Sequence, residues 1–325
     1  MPDTQVAVIG AGLSGLACAR ALSDAGLHVT VFDKGRGAGG RMSTRRTDHG
    51  AFDHGAQYFT ARDPEFQAAV AGWVAAGVVA PWLGNIGRIG EGPGMEPSPG
   101  ERYVGVPGMS RLLRHAAGDL AVDFETPIMS VERFGGTYTL RDESGRALSG
   151  FDRVVVAVPA PQAVRLLSAA PVLAERAAAA GIAPCWSVMA CFDAPVPTPL
   201  DGVFIVGKAV SWAARDSSKP GRAPGERWMI HGHWEWSAQH LEDAHESVSA
   251  VLMTAFFEAL GVPEQAPSFL ATHRWRYALP VQPLPEDFLY DAAAGIGACG
   301  DWCNGPRVEG AWMSGAALAR AMLNS

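Results

Sequence analysis

Three glycines near the start of the chain are spaced for contact with a phosphate group. Gly10, Gly12 and Gly15 form the pattern G-x-G-x-x-G in QVAVIGAGLSGLACAR, directly after an apolar run and at the start of a helical pattern. Gly10 permits a tight turn, Gly12 lets a pyrophosphate approach the backbone, and Gly15 lets helix and strand pack closely. The amides at the N-terminus of such a helix face the phosphates. The pattern predicts a dinucleotide-binding turn.

An acidic residue follows at the end of the next apolar run. Val6–Ile9 and Leu13–Ala25 predict a strand and a helix, and His28–Phe32 predicts a second strand that Asp33 closes. A carboxylate at this position can accept hydrogen bonds from an adenosine ribose. The alternative is a glycine-rich crossover that binds nothing, but the strand, helix and acid together favour a nucleotide site.

The residues after Asp33 help to distinguish FAD from NAD. Gly39 and Gly40, followed by Arg41, resemble the extension found in FAD enzymes of the glutathione-reductase and amine-oxidase superfamily. In those enzymes the arginine meets the pyrophosphate and the chain passes close to the flavin. For Arg45 and Arg46 we favour a solvated basic loop.

A second signal lies in GACGDWCNGPRVEGAWMSG, residues 297–315. In the same superfamily a Gly-Asp pair at a strand end, here Gly300 and Asp301, places the carboxylate on the ribityl chain or pyrophosphate. A following helix points its N-terminus at the pyrimidine edge of the flavin, where reduction builds negative charge. One signal toward each end of the chain indicates FAD.

The remaining periodicity predicts an α/β fold. Val154–Val158 and Ile296–Gly300 are continuous apolar runs, which are typical of strands covered on both faces, and they extend the first sheet. Helices are predicted at Trp312–Leu323 and Asp243–Leu260.

Between these elements the texture changes. CWSVMACFD, GVFIVG, RWMIHGHWEW and FLATHRWRYA mix polar, aromatic and β-branched residues, which indicates an antiparallel sheet with one side facing a pocket. Residues 90–100 and 217–226 are Gly/Pro-rich and predict surface loops or domain crossings. We therefore predict a Rossmann-type FAD-binding domain with an inserted mixed or antiparallel-sheet α+β substrate domain. The FAD-binding domain comprises 1–65, 104–168 and 291–325, and the substrate domain comprises 66–103 and 169–290.

Composition excludes several other classes of protein. The formal net charge of −7 argues against a nucleic-acid or anionic-membrane partner, and no apolar run is long enough to span a bilayer. The five cysteines are odd in number and scattered, which does not suggest a secreted disulfide framework. The N-terminal segment has no basic region before its apolar run, so we expect no signal peptide and a cytoplasmic location.

Five motifs, in order along the chain, resemble those of renalases, especially the bacterial branch. They are FDHGAQYFTARD (52–63), YVGVPGMSRLLRH (103–115), VVVAVPAPQAVRLL (154–167), HRWRYALP (273–280) and CGDWCNGPRVEGAW (299–312). The resemblance implies an amine-oxidase-like fold and non-covalent FAD. It also implies an oxidase that takes a hydride from 2- or 6-dihydro-NAD(P), passes it to flavin N5 and releases NAD(P)+, with oxygen reoxidising the flavin to give hydrogen peroxide. We expect no obligatory catalytic base, because the protein mainly holds the ring against the flavin.

Matching positions of the superfamily and of this family imply the cofactor contacts. They are Gly10, Gly12, Leu13, Ser14, Gly15, Asp33, Lys34, Gly40, Arg41, Met42, Ala56, Gln57, Gly300, Asp301, Val308, Glu309, Gly310 and Ala311, with the backbone near Ile128 as a weaker candidate. At the last four positions before Trp312 the backbone amides are the expected contacts.

The substrate pocket is predicted from aromatic side chains that could stack on a nicotinamide ring. The candidates are Gln57, Tyr58, Trp234, Trp236, His273, Trp275 and Tyr277. In a strand, alternation places His273, Trp275 and Tyr277 on one face and Arg274 and Arg276 on the other, and we favour the aromatic face for the pocket.

Alternative chemistries remain open at this point. A metal site is not expected, because no acid or cysteine recurs near His231, His233, His240 and His245 at a suitable spacing. Cys299 and Cys303 are more simply buried thiols than a redox pair.

A flavin amine oxidase or desaturase is the first rival function. Amine oxidases of this fold place a lysine near flavin N5, whereas Lys34 belongs to the nucleotide turn and Lys219 to a loop, which leaves Lys208. A flavoprotein that binds FAD as a sensor, without turnover, is the second rival.

Overall fold

The computed structural model describes residues 3–90 and 94–325. Its strands are β1 (Gln5–Ile9), β2 (His28–Phe32), β3 (Thr44–Thr47), β4 (Gly50–Asp53), β5 (Val79–Pro81), β6 (Ile86–Ile89), β7 (Met95–Pro97), β8 (Tyr103–Gly105), β9 (Ala121–Asp123), β10 (Ile128–Phe134), β11 (Thr137–Asp142), β12 (Ala147–Phe151), β13 (Arg153–Val156), β14 (Gly181–Phe192), β15 (Gly202–Ile205), β16 (Val210–Arg215), β17 (Glu226–Gly232), β18 (Phe269–Gln282), β19 (Leu289–Asp291) and β20 (Ile296–Ala298). The α-helices are α1 (Leu13–Asp24), α2 (Pro64–Ala75), α3 (Ser110–Ala117), α4 (Ala160–Leu166), α5 (Pro171–Ala178), α6 (Trp234–Gln239), α7 (His245–Leu260), α8 (Asp301–Asn304) and α9 (Val308–Leu323). Short 3-10 helices cover Gly40–Met42 and Asp216–Ser218.

A six-stranded sheet in the order β19-β20-β13-β1-β2-β9 forms the nucleotide-binding half. Its strands are parallel, except that β19 is antiparallel to β20. Val6 and Val8 of β1 pack on one side with α1 and α9, whereas Ala7 and Ile9 pack on the other side with β10, α4 and α5. Burial on both faces explains why these strands are continuous apolar runs.

A second sheet has seven strands in the order β18-β14-β17-β16-β15-β6-β7, and its pairs are antiparallel except for β15 with β6. On one face Val188 of β14 packs in a cluster with Phe256 of α7. On the opposite face Met189 and Met229 contact Phe52 of β4. Strand alternation therefore directs one face toward helix α7 and the other toward β4. The predicted combination of a Rossmann-type domain with a mixed-sheet domain is confirmed.

Several predicted boundaries need correction. Helix α9 begins at Val308 rather than Trp312, and α7 begins at His245 rather than Asp243. Strand β17 ends at Gly232, so Trp234 and Trp236 lie in helix α6 and not in the sheet. The aromatic residues of this segment are compatible with either element, and the sequence pattern does not show where one ends.

The two Gly/Pro-rich segments also differ from a simple loop. Met95–Pro97 of the first segment forms an exposed edge strand beside β6, and residues 91–93 lie outside the described residues. The second segment turns inward, because Lys219 is 2% exposed. The prediction of a surface loop or domain crossing holds for the exposed residues Gly221 and 223–225 but not for Lys219, and the charged groups around Lys219 are part of the candidate site.

Candidate active site

The glycine turn leaves an open space in front of helix α1. This helix begins after Gly12, and no side chain caps its N-terminus. A Cβ atom at Gly12 would meet nothing within 4 Å, and one at Gly40 would meet only the Gly12 Cα, at 3.8 Å. The Ser14 hydroxyl is buried without a hydrogen-bond partner among the described residues. Unmet donors beside an open backbone fit a pyrophosphate group.

The other side of the turn is closely packed. A Cβ at Gly15 would lie 2.0 Å from the Gly10 carbonyl oxygen, so a side chain at this position would force the strand and helix apart. Asp33 stabilises the turn, because its carboxylate accepts hydrogen bonds from the Ala11 amide at 2.7 Å and the Gly35 amide at 2.6 Å. The sequence predicted a ribose contact for Asp33 but not this support of the glycine backbone.

Lys34 and Ile128, also predicted as cofactor contacts, differ in their exposure to solvent. The Lys34 side chain is exposed to solvent. Ile128 is buried at the start of β10, and the nearby Thr126 amide donates to the Asp33 carbonyl oxygen at 2.9 Å. The chain near Ile128 thus lies beside the end of β2.

Arg41 and Asp301 come together from opposite ends of the chain. The guanidinium donates to both carboxylate oxygens, at 2.8 and 2.7 Å, and also to the Ala278 carbonyl oxygen at 3.1 Å. Met42 is buried beside Arg41, and Gly300 directly precedes α8. The pair brings two predicted cofactor contacts to one place.

The segment from Asp53 to Gln57 crosses in front of Arg41. A Cβ at Gly55 would lie 2.0 Å from the Arg41 carbonyl oxygen, which itself accepts a hydrogen bond from the Ala56 amide at 2.8 Å. The Gln57 amide nitrogen donates to the Asp53 and Gly55 carbonyl oxygens. Its amide oxygen accepts a hydrogen bond, at 3.1 Å, from an ammonium group described next. The Gln57 side chain is thus occupied by protein groups, and its contact with cofactor or substrate stays a prediction.

Four charged residues, Asp53, Asp216, Lys219 and Arg222, form a buried charge cluster behind Gln57. The Lys219 ammonium lies 2.7 Å from an Asp216 oxygen and 3.7 Å from an Asp53 oxygen, and Arg222 pairs with Asp53. Burial acts to raise the pKa of Asp53, but Lys219 and Arg222 outweigh it and lower that pKa. Sequence reasoning missed this cluster, although the three-residue spacing of Asp216 and Lys219 was a local signal of an ion pair.

Two histidines and a tryptophan form an aromatic wall. His273 and Trp275 belong to β18, and His54 directly follows β4. The His54 ring centroid lies 4.8 Å from that of His273 and 5.0 Å from that of Trp275, which are themselves 4.4 Å apart. Trp275 Nε1 donates to the His54 carbonyl oxygen at 2.9 Å. Burial lowers the pKa of His54 to about 4, with His273 as a smaller cause. The wall is therefore uncharged at neutral pH.

Strand alternation holds for only part of β18. Arg274 and Arg276 share Glu242 as an ion-pair partner, away from the aromatic wall. The pairing with β14 then shifts between Trp275 and Leu279, which leaves two additional residues of β18 in an irregular stretch. Tyr277 lies in this stretch, so alternation does not assign its ring to the wall.

Two other pocket candidates lie elsewhere. The Tyr58 ring packs 5.4 Å from Trp212 and 6.3 Å from Trp82, with the Arg102 guanidinium over its face. Trp234 is 36% exposed on α6, and its described aromatic neighbour is the adjacent His233. The structure brings His273 and Trp275 together with His54 but does not bring Trp234 to them.

Glu309 connects the start of α9 to the segment that precedes α2. Its buried carboxylate accepts hydrogen bonds from the Arg62 amide at 2.6 Å and the Asp63 amide at 2.7 Å. The first hydrogen bond within α9 runs from the Ala311 amide to the Arg307 carbonyl oxygen. The amides of Val308, Glu309 and Gly310 therefore precede this ladder, where a helix can stabilise an anion. Sequence reasoning assigned only the backbone of Glu309.

Residues 3–90 and 94–325 offer no metal site. No group of three or more His, Cys, Asp or Glu side chains there could hold a metal ion, and none of the helices there is long and apolar enough to cross a membrane. Cys299 and Cys303 are buried free thiols. A hydrogen bond from Cys299, together with burial, raises the pKa of the Cys18 thiol, and burial raises the pKa of Cys303.

Comparison with known proteins agrees with this geometry. Residues 8–73 match the model of an NAD(P)-binding Rossmann-like domain, and residues 94–323 match that of the flavin containing amine oxidoreductases. A curated relative, the 4,4'-diapophytoene desaturase of Staphylococcus aureus, is 45% identical over 51 residues, which cover 16% of this chain and only 10% of that protein.

Solved structures show the same fold over the whole chain. A protein from Exiguobacterium sp. 255-15, provisionally named a protoporphyrinogen oxidase, has a TM-score of 0.80 at 14% identity, with 99% of each chain covered. Cyclohexylamine oxidase from Brevibacterium oxydans IH-35A has a TM-score of 0.77 at 15% identity, again with 99% of each chain covered. Because the second family model spans most of the chain, the chain belongs to the flavin containing amine oxidoreductase family, and Gly12, Ser14 and the Arg41–Asp301 pair fit the FAD cofactor of such a protein.

Proposed function

We propose that this protein is a renalase-like oxidase that converts 2- or 6-dihydro-NAD(P) to NAD(P)+ with oxygen as the final acceptor. The observation that carries the proposal is the contact between the two most specific motifs of the renalase resemblance. GAQYFTARD supplies the Arg62 and Asp63 amides, and GDWCNGPRVEGAW supplies the Glu309 carboxylate that binds them at 2.6 and 2.7 Å. Residues far apart in the chain thus form one local structure beside the expected cofactor.

The chain's own groups suit hydride removal from a flat, neutral ring. When bound, FAD supplies the acceptor for a hydride and two electrons. The aromatic wall of His54, His273 and Trp275 offers ring faces and edges for a planar heterocycle. Because burial lowers the pKa of His54 and of His273, both imidazoles stay neutral at pH 7. Their role is to orient the ring and exclude water, since the dihydropyridine nitrogen already favours loss of the hydride.

An amine oxidase or desaturase is the second candidate, and Lys219 is the observation that favours it. The sequence assigned this lysine to a loop, and the structure buries it beside Gln57, with the ammonium 3.1 Å from the Gln57 amide oxygen. The scarcity of lysines therefore does not argue against amine oxidation as strongly as expected. However, the ammonium already pairs with Asp216 at 2.7 Å, so it is held as a structural cation rather than a free base.

Anaerobic stopped-flow mixing tests the proposal. We expect 2- or 6-dihydro-NAD to bleach the flavin of the purified yellow protein, and the ordinary 4-dihydro isomer to leave it oxidised. Readmission of oxygen then restores the yellow colour and yields one hydrogen peroxide for each NAD+ formed. Bleaching by an amine but by neither isomer would establish the second candidate. A flavin that no dihydropyridine or amine reduces would indicate the FAD-binding sensor instead.

A further inference from the structure

A cavity of about 580 Å³ opens where the two specific motifs meet. Its walls include the segment around Arg62, the turn at Asn304 to Arg307, and Met313 of α9. The Glu309 carboxylate fixes the first wall to the second through the Arg62 amide. A cavity of this size is in the range of small-molecule sites, and it adjoins the amides predicted to meet the flavin.

Two guanidinium groups in this cavity have no ion-pair partner. Arg62 and Arg307 are both exposed, and within residues 3–90 and 94–325 neither side chain forms a salt bridge or a hydrogen bond. By contrast, Arg41 and Arg320 are paired with Asp301 and Glu65. The cavity therefore presents two unneutralised cations to whatever enters it.

Three carboxylates also line the cavity, but each is directed at donors of the protein. Glu309 accepts from two backbone amides, and Asp63 accepts from the first amides of α2 at 2.8 and 3.2 Å. Asp287 accepts from the Asn304 amide group. Two of the three carboxylates thus lie at helix N-termini, where the backbone dipole offsets part of their charge.

We infer that Arg62 and Arg307 bind the phosphate groups of the dinucleotide substrate, an inference that rests on the proposed function. A guanidinium group presents a planar fork of N–H donors that matches phosphate oxygens, and an unpaired arginine gives up no existing partner to bind them. The same two charges disfavour a cationic amine in this cavity, since like charges repel. The assignment therefore predicts a preference for an anionic substrate at the two guanidinium groups over the amines of the rival function, although three carboxylates also line the cavity.

Substrates with and without phosphate test this assignment. For the FAD-loaded protein, anaerobic flavin reduction is followed at increasing concentrations of 2- and 6-dihydro-NAD and of the matching dihydronicotinamide ribosides, which lack phosphate. We expect Arg62→Gln and Arg307→Gln each to raise the half-saturating dinucleotide concentration about tenfold, with the limiting rate unchanged. The ribosides should show no such change. The control is Arg111→Gln on α3, an exposed arginine outside the cavity.

A binding measurement separates failure of this inference from failure of the proposed function. Calorimetric titration of the FAD-loaded protein with ADP-ribose needs no turnover, and we expect about tenfold weaker binding in each cavity variant but not in Arg111→Gln. Arginine-dependent ADP-ribose binding without flavin reduction by any isomer would reject the proposed function and retain the phosphate site. Flavin reduction with equal effects on dinucleotide and riboside, or with no effect of either substitution, would overturn the phosphate site alone.

Discussion

Two regions of the molecule differ in whether their buried polar side chains have partners within the protein. In the buried charge cluster, Lys219 and Asp216 are fully buried side chains 2.7 Å apart, and each cation lies within 4 Å of a carboxylate. In the glycine turn, the Ser14 hydroxyl is also buried but has no hydrogen-bond partner among the described residues, and a Cβ atom at Gly12 would meet none of their atoms within 4 Å. The charged groups of the first region find oppositely charged partners on folding, although Asp216 Oδ2 and Arg222 Nε form no hydrogen bond among the described residues, whereas we expect FAD to supply the missing partners of the second. We therefore expect the first to affect mainly stability and the second to affect mainly FAD affinity.

Removal of one charge from the buried charge cluster is expected to cause the largest change in the free energy of unfolding. Lys219→Met leaves two buried carboxylates opposite a single cation, so we expect a loss of about 3–5 kcal/mol in the free energy of unfolding, measured in denaturant. Lys208→Met replaces an exposed lysine and should change stability by no more than about 0.5 kcal/mol. A loss below about 1 kcal/mol for Lys219→Met would show that the cluster is not required for folding.

The aromatic wall adds a buried group that is neither paired nor charged. The folded-state pKa of His54 is about 4, below the ordinary value of 6.5, because of burial and then of the facing His273, Arg45 and His231. The unfolded chain therefore binds more protons between these two values. Stability should fall as the pH drops from about 6.5 to about 4, by up to about 3 kcal/mol from this group.

Unfolding free energies at pH 7 and pH 5 check this sign. His54→Gln should flatten the decrease, whereas His115→Gln, at an exposed position on α3, should leave it unchanged. The lowered pKa of Asp53 acts at still lower pH, so it does not produce the same slope. An equal pH dependence in the wild type and His54→Gln would mean that His54 is not held neutral.

The conformation of the glycine turn was predictable from the sequence because local geometry determines it. Gly10 and Gly15 are required where the strand and helix pack closely, because a Cβ atom at Gly15 would lie 2.0 Å from the Gly10 carbonyl oxygen. Strand β2 begins and ends at the predicted residues His28 and Phe32. Side-chain identity and spacing carry this information within about thirty residues. The FAD assignment needed a second motif near Asp301, and the family match confirms it.

The buried charge cluster and the wall depend mainly on contacts between distant segments, and the local Asp216–Lys219 spacing does not show where that pair is buried. Lys219 lies in a Gly/Pro-rich segment, which normally indicates a surface loop, but it meets Gln57 across 162 residues of chain. Trp234 follows β17 so closely that its aromatic neighbours suggested a continuing strand, although the chain turns into α6. His54 was missed as a wall residue because its partners come from β18.

Substitutions in the Arg41–Asp301 pair show how FAD affinity depends on the charge at each position. Arg41→Ala removes a cation and leaves the Asp301 carboxylate without its bidentate partner, so we expect FAD affinity to fall about 10–100-fold. Asp301→Ala should weaken FAD less, since the remaining guanidinium still attracts the pyrophosphate. Titration of the FAD-free protein with FAD, followed by flavin fluorescence, gives both values. Unchanged affinity in both variants would reject the cofactor assignment.

Replacement of Ser14 is expected to have the smallest effect on stability, and its two effects have opposite directions: higher stability without FAD and weaker FAD binding. The buried Ser14 hydroxyl has no hydrogen-bond partner within residues 3–90 and 94–325, so in the FAD-free protein Ser14→Ala should raise the free energy of unfolding by about 1 kcal/mol, and it should weaken FAD binding about tenfold. Ser314 is the matched control, because its buried hydroxyl accepts a hydrogen bond from the Gly300 amide at 3.0 Å. Ser314→Ala should therefore lower the stability of the FAD-free protein. If Ser14→Ala lowers it as well, the Ser14 hydroxyl already has a partner without FAD, and the turn is not a region that only the ligand completes.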